Sequence, residues 1–211
     1  MNSNQNIEDL KHIRNMMERS SKFLSLSGFS GIAAGVIALA GAAVAYFVVF
    51  RQGAVRYDEY MRALGGGSTA NIRLQVITLA FSTLVCAVGA SWYFSLRKAK
   101  RAGMRLWTPA AKRTLYNFML PLAAGGIFSI SLIMTHNIHL IGSATLIFYG
   151  LALVNSSKFT VDEVHYLGLS EIALGIAAGF FLNYGLLFWA FGFGVMHIVY
   201  GIRMYHKYDR Q

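Results

Sequence analysis

The chain has 211 residues, 55% of them hydrophobic and 13% charged, where soluble domains carry about 25% charged residues. Its formal net charge is +10, but the cations cluster between long uncharged runs, which excludes an ordinary soluble globule. No recognition motif accompanies the basic excess, so nucleic acid is not an expected partner.

In chain order, residues 1–23 read as a cytoplasmic amphipathic helix. Asn6 caps it with Asp9 three residues on. Ile7, Leu10, Ile13 and Met17 fall on one face, and Lys11, Arg14 and Glu18 on the other. Such a segment lies at the membrane interface or extends the first span. Apolar runs then follow at 24–50, 74–96, 115–134, 138–157, 164–182 and 184–202, each near the ~20 residues that cross a ~30 Å hydrocarbon core. A membrane β-barrel would instead need short segments of alternating polarity. The fold class expected is all-α: six transmembrane helices as three hairpins, ending in a basic tail at 203–211.

Between the runs, the loop 51–73 carries Asp58, Glu59 and the triplet Gly65-Gly66-Gly67, which hinges it. Cys86, the only cysteine, falls mid-span and reads as a packing residue. Trp107-Thr108-Pro109 marks a helix start, with Thr as cap and Pro in the first turn. With the N-terminus inside, 15 of the 19 Lys and Arg lie on the inner side, leaving only Arg51, Arg56, Arg62 and Arg73 outside. That bias orients the chain with both termini cytoplasmic and directs its cations to anionic lipid at that face.

Two short stretches recur. Gly31-Ile32-Ala33-Ala34-Gly35 repeats as Gly175-Ile176-Ala177-Ala178-Gly179, and Tyr149-Gly150 as Tyr200-Gly201. They suggest a hairpin repeated three times, since many transporters are built from internal repeats. Gly28, Gly31 and Gly35 line one face of the first span, and Gly168, Gly175 and Gly179 one face of the fifth. Small residues four apart let backbones approach closely. Both helices run outward, so they are expected as parallel neighbours; packing within one subunit and self-association into a homo-oligomer both remain open.

Six spans, short polar turns and odd-numbered helices carrying Gly-x-x-x-Gly resemble the six-helix inner-membrane proteins of bacteria, in particular the layout of HdeD-like acid-resistance proteins. The segments 142–155 and 167–179 carry the resemblance, which extends over helices one to six. It implies a stress-related or regulatory protein of the bacterial inner membrane, with no reaction attached.

Glu171 interrupts the fifth span, and ionisable groups in hydrocarbon face a partner, a cavity or a function. It lies 11 residues from Leu182, about 16 Å along a helix, and His197 lies 13 residues from Tyr184, about 20 Å. Adjacent antiparallel helices bring them together, where burial disfavours the carboxylate and the imidazole shares or takes its proton. The pair is a candidate proton-sensing or ligand site, or a hydrogen-bonded pin for the last hairpin. Ser170, Tyr149, Tyr200 and Asn155 lie toward the same half and are candidate extensions.

His136 and His139 sit three apart at a turn and are weak metal candidates, because a site needs a third or fourth ligand. No metal or other cofactor is expected. Nucleophile elbow, metalloprotease helix and phosphate loop are all missing. The expectation is therefore a non-enzymatic membrane protein with a proton-sensing pair; the alternative is a small proton- or solute-coupled transporter or channel.

Overall fold

The computed structural model describes residues 27–49, 70–103 and 107–210. The amphipathic segment at 1–23, and Asp58, Glu59 and the glycine triplet of the loop, lie outside the described residues. The described chain is helical, with no strand among the described residues. Helix α1 spans Gly28–Val44, α2 Ala70–Arg101, α3 Pro109–Met134, α4 Ile141–Ser156 and α5 Asp162–Phe180. The last helix, α6, runs over Leu182–Asp209, with π-helical stretches at Ala190–Met196 and Tyr205–Asp209. Residues expected as a separate basic tail thus continue α6 as far as Asp209.

Local chemistry sets the helix ends. Thr108 Oγ1 accepts from the Ala111 amide at 3.1 Å, and Pro109 occupies the first turn, where its missing N–H costs nothing. At the other end of α3, His136 has φ 61°. The Asn137 amide donates to Leu132 O and the His136 amide to Ile133 O, the paired bonds of a left-handed helix stop. His136 therefore occupies a position where glycine is the usual residue.

Among the described residues, five helices are long and apolar enough to cross a membrane: α1, α2, α3, α4 with its flanking turns, and α6. Helix α5 is outside this group; its 19 residues include Asp162, Glu163 and Glu171. In space, α1 packs between α2 and α6, and α6 also touches α4 and α5. Helix α5 lies mainly on α4, and α4 on α3. The helices thus follow the order α2, α1, α6, α5, α4, α3. The parallel pairing of the first and fifth spans is not formed: Gly28, Gly31 and Gly35 of α1 face α6, and Gly168, Gly175 and Gly179 of α5 face α4. Cys86 is exposed on α2 rather than packed.

The glycines explain these choices. A methyl group on Gly28 would overlap the backbone of Tyr205 and Gly201, and one on Gly201 would overlap Gly28 O and the Ile32 amide. On the other side of the bundle, Gly168 meets Gly150 O and Val154, and Gly150 meets Gly168 O and Ile172. Gly35 abuts Ile198 as Gly175 abuts Ile147. The two interfaces match residue for residue, with Gly28, Ile32 and Gly35 standing where Gly168, Ile172 and Gly175 stand. Likewise Ile198, Gly201 and Tyr205 correspond to Ile147, Gly150 and Val154. The register therefore differs from that of the shared pentamer: Gly35 corresponds to Gly175, one helical turn from Gly179. Among the described residues, α2 and α3 form no comparable third interface.

Candidate functional site

Glu171 is fully buried on α5, at 0% exposure, and His197 is buried on α6. The repeat register shows how each comes to be there. Glu171 occupies the position of Gly31 in the α1–α6 interface, and His197 that of Leu146 in the α4–α5 interface. They meet because α6 lies against α5 as well as α1. His197 Nδ1 is 3.4 Å from Glu171 Oε1, an ion-pair distance that is long for a hydrogen bond. Among the described residues, neither carboxylate oxygen has a hydrogen-bond partner.

The imidazole is held at both nitrogens. Nδ1 lies 3.1 Å from Gly192 O, and since a carbonyl only accepts, this nitrogen carries the proton. In a neutral ring Nε2 then accepts from the Tyr149 hydroxyl at 2.8 Å. Gly192 lies five residues before His197, within the π-helical stretch of α6. π turns inside α-helices recur at functional sites. Gly192 has no side chain for a simple reason: a methyl group there would overlap Glu171 Oε2 and Leu146 Cδ2. Phe193 stacks on His197 with ring centroids 6.0 Å apart and lies 5.0 Å from Tyr149. Phe118 of α3 meets Tyr149 edge-on at 5.8 Å.

An isolated carboxylate in this setting costs several kcal/mol. Two charge arrangements avoid that cost: neutral acid beside neutral imidazole, or carboxylate beside imidazolium. They differ in the position of one proton, and the second also requires Tyr149 to turn its hydroxyl from donor to acceptor.

Of the candidate extensions, only Tyr149 joins the pair. Ser170 Oγ lies 3.5 Å from Tyr200 Oη and donates to Tyr166 O. Asn155 reaches across to Asn117 O at 2.8 Å, tying α4 to α3. His136 is exposed and His139 half-buried. No group of three or more His, Cys, Asp or Glu side chains able to hold a metal occurs among the described residues.

Two acidic contacts at the basic end of the bundle were not foreseen. Glu163, 2% exposed, accepts from Lys207 Nζ at 2.7 Å and Tyr208 Oη at 2.8 Å, with Arg203 Nε at 3.8 Å. Burial alone would raise this carboxyl, but the hydrogen bonds from Lys207 and Tyr208 outweigh it and hold the group below the usual glutamate range. Asp209 Oδ2 accepts from the Gly28 amide at 2.8 Å and the Ser27 hydroxyl at 3.0 Å, and Oδ1 lies 2.7 Å from Lys98 Nζ. The end of α6 thereby caps α1 and holds α2. The sequence signals were an acidic pair, Asp162-Glu163, at a helix start and a lone acid, Asp209, in a basic segment, which have meaning only once their partners are known.

No protein-family model, curated protein or solved structure matches the chain.

Proposed function

We propose that the chain is a non-enzymatic, six-span protein of the bacterial inner membrane, with both termini cytoplasmic. In this reading the Glu171–His197–Tyr149 chain is a proton-sensing element serving a stress-related or regulatory role. The observation that carries it is the buried Glu171 carboxyl, with both oxygens lacking a donor, 3.4 Å from an imidazole held at both nitrogens. Such a carboxyl is stable only while a proton is on it or on its neighbour. The five long apolar helices and the clustering of cations at one end support membrane insertion with that end inside. Helix α5 would be the sixth span, its acid tolerable because it faces the bundle interior.

Sensing is favoured over conduction by the packing beneath the pair. Leu153, Val164, Leu167 and Met204 form a buried apolar cluster, with Tyr149 and Tyr200 packed on it. Val164 and Leu167 lie between Glu171 and Glu163 along α5, and Met204 between His197 and Lys207 along α6, where a proton or solute path to the inner face would have to run.

The test is infrared difference spectroscopy of the protein in nanodiscs, titrated from about pH 4 to 9, the range in which a His-coupled group responds. The expected result is a carboxyl band that changes with pH, vanishes in Glu171→Gln and shifts in His197→Gln. A spectrum with no pH-dependent buried carboxyl would overturn the sensor.

A further inference from the structure

Beyond the pair, a cavity of about 310 Å³ opens at the basic end, where α4 leaves the bundle and α5 begins, lined by Ser157, Lys158, Asp162, His165 and Tyr166. It lies across the turn from Glu163, whose charge is already matched by Lys207 and Arg203. Lys158 is exposed and has no hydrogen bond or ion pair among the described residues. His165 Nδ1 is fixed 3.2 Å from Ser157 Oγ, and Ser157 donates to Val154 O. The other ring nitrogen of His165 is left for a ligand. The concavity thus holds one unengaged cation, one oriented imidazole and one carboxylate, with a formal balance near zero. It sits where the apolar runs of α4 and α5 end.

We infer that this cavity binds the phosphoethanolamine headgroup of a zwitterionic phospholipid. Lys158 meets the phosphate by a charge-assisted hydrogen bond, and Nε2 of His165, an acceptor while Nδ1–H donates to Ser157, takes a hydrogen bond from the ammonium. The ammonium lies toward Asp162, whose carboxylate offers several acceptor positions in addition to any it already uses. Tyr166, 55% exposed, stands where an interfacial aromatic lies beside the glycerol region. An anionic headgroup lacks the ammonium and leaves Asp162 facing its negative charge, so the cavity selects against the anionic lipids that the net charge of the chain attracts. The inference rests on the membrane reading above.

The experiment uses the full chain in a maltoside micelle, titrated with dihexanoyl phosphatidylethanolamine, dihexanoyl phosphatidylglycerol and chain-free phosphoethanolamine, and read by native mass spectrometry. One phosphatidylethanolamine should be retained, about tenfold more tightly than phosphatidylglycerol. Lys158→Ala and His165→Gln should each weaken it by about tenfold, while Lys112→Ala, an exposed cation outside the cavity, should not change it. Equal retention of the two lipids, or indifference to Lys158→Ala, overturns the inference. Chain-free phosphoethanolamine binding as tightly as the lipid would identify a soluble phosphomonoester and also overturn the lipid. Alkaline carbonate extraction of native membranes separates the two failures. Release of the chain refutes the membrane reading; a retained chain without the lipid refutes only the headgroup site.

Discussion

Gly192 and Tyr149 fix the chemistry of the pair more tightly than the pair does itself. Gly192→Ala forces a methyl group against Glu171 Oε2 and Leu146, and overpacking of this kind costs about 1–3 kcal/mol. Thermal unfolding should show that loss, and the infrared carboxyl band should move as well, because the displaced group is Glu171. Tyr149→Phe leaves Nε2 of a buried imidazole without its donor, a loss of about 1–3 kcal/mol, with less effect on the Glu171 band than Gly192→Ala. Glu171 and His197 stand out in the sequence because charge is costly in an apolar run. Gly192 does not, since a glycine in a glycine-rich span looks like any other. Its role comes from the π-helical stretch, which no periodicity in these residues announces.

Helix by helix, glycines of identical appearance separate into two classes. Gly150 and Gly201 lie against the backbone of a neighbouring helix, whereas, among the described residues, nothing lies within 4 Å of a side chain added at Gly89 or Gly126. Gly89→Ala and Gly126→Ala should be neutral or stabilising by up to about 1 kcal/mol, from the helix propensity gained. Gly150→Ala and Gly201→Ala should destabilise, and a chemical-denaturation series on the four variants reads the contrast. The start of α3 was legible because Thr108-Pro109 is a strong signal, whereas α2 and α6 extend beyond their apolar runs. The pairing of helices was not legible: the matching pentamers drew the eye to Gly179, while the packing register runs through Gly168 and Gly175. Composition repeats a motif; only contact shows which turn of it is used.

The Glu163 contact belongs to the same scale, since it joins α5 to α6. Its carboxyl is held below the usual range, so its contribution is present above the ordinary glutamate value of about 4.3. That contribution is lost as pH falls through the lower folded-state value. Melting temperature should therefore decline below about pH 4, and Glu163→Gln should flatten that decline while lowering stability near neutrality.

Among the described residues, the order α2, α1, α6, α5, α4, α3 leaves α2 and α3 at the two ends, with their apolar faces largely uncovered. In the proposed membrane setting, Cys86 on α2 faces lipid. It should react with a lipid-soluble maleimide and resist a membrane-impermeant one added from either side of the bilayer. Labelling by the impermeant reagent in intact membranes would place that face in water and break the six-span arrangement.

Within α6, one residue, His197, touches both halves of this arrangement. The ring of His197 lies beside Glu171 on α5, while its carbonyl oxygen lies 3.2 Å from where a side chain on Gly31 of α1 would begin. One amino acid is thus the hinge pin between two otherwise matching seams. Any shift of its backbone that accompanies a change of charge on its ring must be taken up against α1, whose N-terminal end is moored to α2 through Asp209 and Lys98. The path from the buried acid to the most distant helix in the row thus runs over four contacts: Glu171–His197, His197–Gly31, Gly28–Asp209 and Asp209–Lys98.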